Sequence, residues 1–314
     1  MSETRRLVAV VVTFNRLALL QRLLQRLDTQ AEVDEILVID NASTDGTGEW
    51  LATLDGAEDD HPTVPVVART LATNTGGAGG FSEGLSWAIE RGAELVWLMD
   101  DDGVPAPDCL DTLLTYGGTH PDLEFWGPVV VDEADPRRLV FPIRLPGGAR
   151  VAHDVEAVEA AAVGGLLDEI VIPFNGVLVT RALVERIGVP RAEFFIWGDD
   201  HEYRLRAEAA GARIATVASA RFEHPSVGEL GTPMMFGLTA YNHSPSDLKH
   251  YCMARNNLLN LRAYRGLTHA SAFVAKTVWF YTFTRRQPKR IWLSIQAWWA
   301  ALRGDFTGHE RFLR

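Results

Sequence analysis

Lysine and cysteine are scarce in this chain, and long apolar runs are absent. Of the 314 residues only three are lysine, so basic charge rests on arginine, and the acids outnumber the bases to leave a net charge of −11. That sign argues against a general nucleic-acid binder, which needs basic surface to displace counterions from phosphates. The two cysteines, Cys109 and Cys252, form no CxxC pair and sit beside no histidine at zinc-ligand spacing. A disulfide scaffold and a zinc ribbon are therefore excluded, and buried free thiols in a reducing cytoplasm are expected. No apolar stretch approaches the roughly 20 residues that a spanning helix needs. The run Leu7–Val12, which follows Met1–Arg6, ends at Thr13 and Asn15. It is too short for a signal-peptide core and reads as a first strand. No internal repeat or low-complexity segment is present.

What is present suits a large folded core, with 47% hydrophobic residues and 23% charged ones. Leu7–Val12 is a β-branched run of the kind that parallel strands buried on both faces use. Leu17–Leu27 has apolar residues at helical period. Strands are expected at Glu35–Ile39, Val64–Ala68 and Leu95–Met99, with helices over Thr47–Leu54 and Ser82–Arg91. Alternating strands and helices predict an α/β fold with a mostly parallel sheet. Ligands of such sheets bind beyond the carboxyl ends of the strands. The polar residues fall there: Thr13, Asn15 and Arg16 after the first strand, Asp40 after the second, Asn74 after the third, and Asp100-Asp101-Asp102 after the fourth.

The second half is less regular. Strands are expected at Val129–Val131, Leu139–Ile143 and Ala212–Ser219, and a helix at His201–Ala210. Residues 147–169, small and acidic, are expected to be a surface excursion. Beyond about residue 250 the pattern turns helical and aromatic.

Three constellations carry chemistry. Adjacent carboxylates repel one another, and a cation or a set of donors neutralises them most readily. Alternate residues on an extended chain point the same way, so Asp100 and Asp102 can face one hard divalent cation. The alternative is a solvated acidic turn. Asn74–Phe81, with Gly76 and Gly77, is a glycine-rich loop that lets backbone approach an anionic ligand. A flexible turn would use the same residues. Asp199-Asp200-His201-Glu202 begins a helix. Asp199 is expected to N-cap it, with Glu202 completing a capping box, while Asp200 is a candidate general base among aromatics. His224, before a proline at a strand end, is a lone histidine with either a structural or a ligand role.

The C-terminal segment sets Trp279, Phe280, Tyr281 and Phe283 beside Arg285, Arg286, Lys289 and Arg290. Trp292, Trp298 and Trp299 follow. This composition suits a membrane interface carrying anionic lipid. Packing on the core or in a homo-oligomer would use it as well.

Together the motifs resemble the family 2 inverting glycosyltransferases with the GT-A, Rossmann-like nucleotide-binding fold. Carrying the resemblance are Val11–Arg16, Val38–Gly46, Asn74–Phe81, Met99–Asp102, Phe174-Asn175-Gly176 and Phe195–Asp200, over residues 7–225. Within the family the chain looks most like the actinobacterial galactofuranosyltransferases that start galactan synthesis. The resemblance implies a GT-A domain over 1–225, and the composition beyond it a helical region over 226–314 that either associates with a membrane or packs on the core or in a dimer. It implies Thr13 and Asp40 at the nucleotide base, and Mn²⁺ or Mg²⁺ on Asp100, Asp102 and His224. Asp200 would be the base. Asn15, Arg16, Asn74, Gly76, Gly77, Asp101, Asn175, Gly176, Trp197 and Asp199 would line the substrate site. The donor would be UDP-galactofuranose and the acceptor a polyprenyl-diphosphate-linked glycan, on the cytoplasmic face of the plasma membrane. Rhamnosyl transfer from dTDP-rhamnose is the alternative within the class. A sugar nucleotidyltransferase is disfavoured because Thr13-Phe14-Asn15-Arg16 is not its glycine-rich loop. A non-catalytic nucleotide-sugar binder would keep Asp40 without needing Asp200.

Overall fold

A computed structural model of the chain describes residues 5–54, 63–148, 150–228 and 231–313. Met1–Thr4 and residue 149 of the sequence readings lie outside the described residues. The first half runs β1 (Leu7–Thr13), α1 (Leu17–Leu27), β2 (Glu35–Asp40), α2 (Thr47–Thr53), β3 (Val66–Thr70), α3 (Gly76–Glu90) and β4 (Leu95–Asp100). The centre holds β5 (Val104–Pro105), α4 (Cys109–Thr119), β6 (Leu123–Asp132), β7 (Arg138–Arg144), β8 (Val151–Asp154), α5 (Val155–Ala161) and β9 (Leu166–Asp168). Then come β10 (Asn175–Thr180), α6 (Arg181–Ile187), α7 (Asp199–Ala209) and β11 (Arg213–His224). The chain finishes with β12 (Thr232–Met234), β13 (Thr239–Tyr241), α8 (Asp247–Asn260), α9 (Leu267–Trp279) and α10 (Pro288–Arg303).

The main sheet has the order β3-β2-β1-β4-β10-β6-β11-β5. Its first four strands are parallel, as the alternation predicts. β10 then enters antiparallel to both β4 and β6, so the second half is mixed. Strand alternation sends Ala9 and Val11 to one face, where they meet Leu20, Leu23 and Leu27 of α1. Val8, Val10 and Val12 point to the other face, onto Phe81 and Leu85 of α3. Both faces are covered, which is why β1 is apolar throughout.

Two sequence expectations change. The glycine-rich segment is not a loop, because α3 begins at Gly76 and runs through it. A Cβ on Gly80 would lie 2.4 Å from a Val12 methyl, and one on Gly84 2.5 Å from a Val10 methyl. The glycines therefore let α3 settle onto the valines of β1. Gly77 differs, since a Cβ there meets nothing within 4 Å. The segment 147–169 is no mere excursion either. Its β9 pairs with β11, and Ala152, Val158 and Leu167 are buried with Val129 and Val131 of β6. Small residues suit it because it is packed, not because it is loose.

α8 and α10 pack together through Tyr251, Ala254, Ala297 and Ala301. The β12–β13 hairpin, which no sequence signal announced, closes against Phe280 and Tyr281.

Gly84→Val should lift α3 from the sheet and destabilise the fold by about 1–3 kcal/mol. Gly77→Ala should be neutral or stabilising, by up to about 1 kcal/mol, because only helix propensity changes. Urea denaturation of the two variants checks this. Equal losses at both positions would show that the glycines do not act through packing.

Candidate active site

The parallel register brings the polar strand ends to one edge. Thr13 pairs with Asp40 and Val12 with Asp100, while Asn175 starts β10 opposite Met99. The acid triplet thus sits at the centre of the sheet edge, where β1 and β4 both stop. Thr13 Oγ1 donates to Asp101 Oδ2 at 2.6 Å. Arg16 Nη1 bridges Asp101 Oδ1 at 2.9 Å and Asp102 Oδ2 at 2.7 Å. Thr13 is buried and committed to Asp101, whereas Arg16 is half exposed.

Asp100 titrates well above the usual carboxylate range, first through burial and then through the charges of Asp102 and Asp101, with Asp199 adding to them. Burial alone would raise Asp102 too, but His224 and Arg16 outweigh it and hold that carboxyl low. Burial pulls the other way at His224, where Asp102 prevails and raises the imidazole. His224 Nδ1 lies 2.7 Å from the Pro225 carbonyl, so Nδ1 carries the proton in that contact. Nε2 then faces Asp102 Oδ1 at 3.2 Å. Asp102 Oδ1 is buried and accepts no well-aligned hydrogen bond. In the neutral imidazole, two lone pairs would oppose each other there. A proton on Nε2 or a divalent cation relieves that opposition, and this donor set suits the cation. Among the described residues, no three His, Cys, Asp or Glu side chains form a preformed cage. Asp102 and His224 are in contact, and Asp100 lies two residues away on the same strand end.

The second acidic cluster opens α7. Gly198, at φ 87°, is the N-cap and makes no side-chain cap. Asp199 therefore lies in the first turn rather than at the cap, and no capping box forms. Glu202 instead binds Arg206 at 2.9 Å and the Tyr264 hydroxyl at 2.7 Å. Asp200 Oδ1 accepts from the His201 amide at 2.6 Å. Burial raises both Asp199 and Asp200, and at Asp199 the charge of Asp200 adds to it. His201 stays neutral, because burial, Arg204 and Arg265 hold its imidazole down to about 4.

Asp40 is fully buried, accepting from the Ser43 amide at 3.0 Å and the Thr70 hydroxyl at 3.2 Å. Exposed Asn15, at φ 54°, accepts from the Thr44 amide at 2.7 Å. Asn74 Oδ1 accepts from the Gly76 amide at 2.8 Å and sets the start of α3. Asn175 donates to the Pro173 carbonyl at 2.9 Å, and the Gly176 carbonyl accepts from Trp97 Nε1 at 2.8 Å. Trp197 is half-buried at φ 68°, just before Gly198.

Two sets of positioning residues escaped the sequence reading. Asn41 donates to the Gly76 carbonyl at 2.8 Å and accepts from the Thr75 amide at 2.8 Å, tying β2 to α3. On α8, Asn256 Nδ2 reaches the carbonyls of Phe194, Ile196 and Trp197 at 3.0, 3.2 and 2.6 Å. Asn260 takes the Gly198 carbonyl at 2.8 Å, and Arg255 the Phe194 carbonyl at 3.0 Å. Phe195, at φ 66° and ψ −65°, is held inside this clamp, and its carbonyl accepts from the Ala78 amide of α3 at 3.1 Å. Such a backbone conformation costs on the order of 1–3 kcal/mol and persists only when its surroundings enforce it. The adjacent pair Arg255-Asn256 was visible in the sequence, but nothing there named its partners.

The sheet, its polar edge and the paired acidic clusters define a glycosyltransferase of the GT-A type. PcManGT, a mannosyltransferase from Pyrobaculum calidifontis solved with GDP-Man and Mn²⁺, superposes with a TM-score of 0.53 at 18% identity, over 96% of this chain and 88% of that one. S. aureus TarS residues 1–349 in complex with UDP-GlcNAc gives a TM-score of 0.56 at 16% identity, over 97% and 81%. Both likenesses concern the fold alone. Residues 8–151 match the family described as Glycosyl transferase family 2. Across 302 residues the chain is 33% identical to galactofuranosyltransferase GlfT1 of Mycobacterium tuberculosis, covering 92% of this chain and 93% of that protein. The chain belongs to glycosyl transferase family 2.

Asn256→Ala should remove three carbonyl contacts and release the strained Phe195–Gly198 turn. We expect a loss of about 1–3 kcal/mol in stability. Turnover should fall roughly 10²-fold, as a small misplacement of a reacting group can cause, with nucleotide affinity nearly unchanged. Calorimetry and steady-state kinetics on the folded variant check this. Unchanged turnover would confine the amide to stability.

Proposed function

We propose that the protein is an inverting, metal-dependent galactofuranosyltransferase. It would move galactofuranose from UDP-galactofuranose to a polyprenyl-diphosphate-linked glycan and so initiate galactan in cell-wall synthesis. The observation that carries the reading is the acid triplet at the end of β4 with a second acidic pair, Asp199-Asp200, near enough for the charge of Asp199 to add to the raising of Asp100. The likeness to GlfT1 over most of both chains supports the choice of sugar.

In this reading Asp200 accepts the proton of the acceptor hydroxyl, which attacks the anomeric carbon in line with the departing diphosphate. Burial, which raises Asp200, gives that carboxylate its proton affinity. Asp100 and Asp102, with His224, would hold Mn²⁺ or Mg²⁺, which neutralises charge developing on the diphosphate. Arg16 is free on one side to swing from the carboxylates to phosphate oxygens. Gly77, with open space where a side chain would be, lets the α3 N-terminus approach an anion. Thr13 and Asp40 shape the base pocket from behind: Thr13 fixes Asp101, and Asp40 fixes the turn at Ser43. Asn15, Asn74, Asn175, Gly176 and Trp197 line the same edge.

Residues 1–225 supply this machinery, and 226–314 an extension that clamps it. We place the protein peripherally on the cytoplasmic face of the membrane that holds the lipid-linked acceptor. Among the described residues no helix is long and apolar enough to cross a membrane. Trp292, Ile295, Trp299 and Leu302 nonetheless form an exposed apolar stripe on α10. Pairing of two copies through that stripe is the alternative.

UDP should stabilise the protein against heat more than dTDP does, and mass spectrometry should find a hexose increment on a rhamnose-terminated lipid acceptor. A dTDP preference with a deoxyhexose increment would assign rhamnosyl transfer instead. Asp200→Asn should bind donor nearly normally and lose about 10²–10⁴-fold in transfer. Wild-type turnover in that variant would remove Asp200 from the base role.

The pH dependence has a definite sign. Only ionised Asp200 accepts a proton and its pKa is raised, so activity should climb along an acid limb above the ordinary carboxylate value of about 4. Burial, not the charge of Asp199, raises Asp200, and Asp199 is itself pushed up to about 8 and stays protonated across that limb. Asp199→Asn should therefore leave the limb in place, and a shift to lower pH would show that the two carboxyls titrate together.

A further inference from the structure

We propose that the β12–β13 hairpin is a membrane finger whose tip, Phe236 and Leu238, enters an anionic bilayer. The inference deepens the peripheral placement above and rests on it. The base of the hairpin is fixed: Met234 and Tyr241 are buried against Phe280 and Tyr281. The Tyr241 hydroxyl lies 2.9 Å from Thr277 Oγ1, and Lys276 Nζ donates to Thr239 at 3.0 Å. The tip is not. Phe236 is 102% exposed and Leu238 86%. Met235, Phe236 and Gly237 all have positive φ, at 52°, 58° and 86°.

A run of left-handed residues is unfavourable for side chains other than glycine, and apolar side chains in full contact with water gain nothing. Two hydrogen bonds close the turn, Gly237 N to the Met234 carbonyl at 3.1 Å and Leu238 N to the Met235 carbonyl at 3.2 Å, and Met235 packs on the base, yet among the described residues nothing covers Phe236 or Leu238. Something outside the chain must receive the tip.

Charge says what it is. Between Asp247 and Asp305 the sequence has ten lysines and arginines and no acid, in a chain that holds 41 acids and 30 basic residues. Arg285 lies beside the hairpin, 3.4 Å from Thr232 Oγ1. Trp279, the last residue of α9, and Phe283 just beyond it are exposed, and their rings pack 4.6 Å apart. An apolar tip on a hairpin whose strands are contacted by Lys276 and Arg285, next to a stretch rich in cations, matches an anionic lipid surface, where each nearby cation adds attraction. A protein partner would not demand an acid-free segment of that length.

Seven residues separate His224 from the start of the hairpin at Thr232. Seating its tip in lipid would hold the polar sheet edge at the headgroup level, where a lipid-linked diphosphate presents its glycan.

The test uses the full chain and vesicles of equimolar phosphatidylglycerol and phosphatidylcholine, compared with phosphatidylcholine alone. Wild type should float with the anionic vesicles, and Phe236→Ser/Leu238→Ser should bind them about tenfold more weakly or worse. Melting temperature and turnover on a water-soluble acceptor should stay unchanged in the variant. Cys109 and Cys252 are both buried, so Phe236→Cys can be labelled selectively. An environment-sensitive dye there should shift to the blue on adding anionic vesicles. Vesicle binding equal to wild type, with no dye shift, would overturn the finger while leaving peripheral binding intact. Failure of the wild type to bind anionic vesicles would overturn both. A raised KM for the soluble acceptor, with vesicle binding kept, would make the tip an acceptor contact and not a lipid one.

Discussion

Five carboxyl groups at one sheet edge set the terms for everything around them. Burial raises Asp100, Asp101, Asp199 and Asp200, and repulsion from a neighbouring carboxylate adds to it at Asp100, Asp101 and Asp199. Asp102 alone is held low, by His224 and Arg16. A cluster of this kind would open if it stood on loops. It is held because each member stands on an element whose backbone is fixed elsewhere: the end of β4 by its pairing with β1 and β10, and the start of α7 by the α8 clamp. The strain at Phe195 and Trp197 is the local counterpart of that confinement.

The two clusters come from chain segments about a hundred residues apart, and the fold needs a device to hold them in register. α3 is that device. Its glycines let it lie flat on β1, and its N-terminus touches the turn before α7 through Ala78 N and Phe195 O. A Cβ at Gly76 would fall 2.0 Å from that same carbonyl. The glycine-rich segment is therefore a spacer of defined thickness between the strand ends and the turn that carries Asp199 and Asp200.

The first half of the fold was legible because parallel strands buried on both faces leave continuous apolar runs, and strands must end where polar residues begin. That logic located Asp40, Asp100 and their neighbours within a residue of the observed edge. It misjudged α3, since glycine reads as loop when no partner surface is known and only the valines of β1 explain it. It misjudged Asp199 because a capping box and a helix that starts one residue earlier share the same letters. The clamp of Arg255, Asn256 and Asn260 was not legible, because side-chain donors aimed at distant carbonyls leave no period or spacing. The hairpin was hidden for a related reason: two three-residue strands carry too little alternation to stand out.

Charge segregation ties the catalytic half to the C-terminal half. The acid-free segment that begins after Asp247 includes both the exposed cationic residues and Arg255, which is buried under the α7 turn. One stretch of sequence thus fixes the base-bearing turn from behind and presents cations to the outside. Acids in this stretch would do double harm: buried ones would compete for Arg255 and Asn256, and exposed ones would weaken attraction to anionic surface. Conversely, concentrating the acids in the first half leaves the sheet edge short of cations, since Arg16 is the arginine that pairs with the acid triplet among the described residues. In the proposed reading, the same imbalance would leave the sheet edge to a divalent ion and the acid-free stretch to an anionic surface.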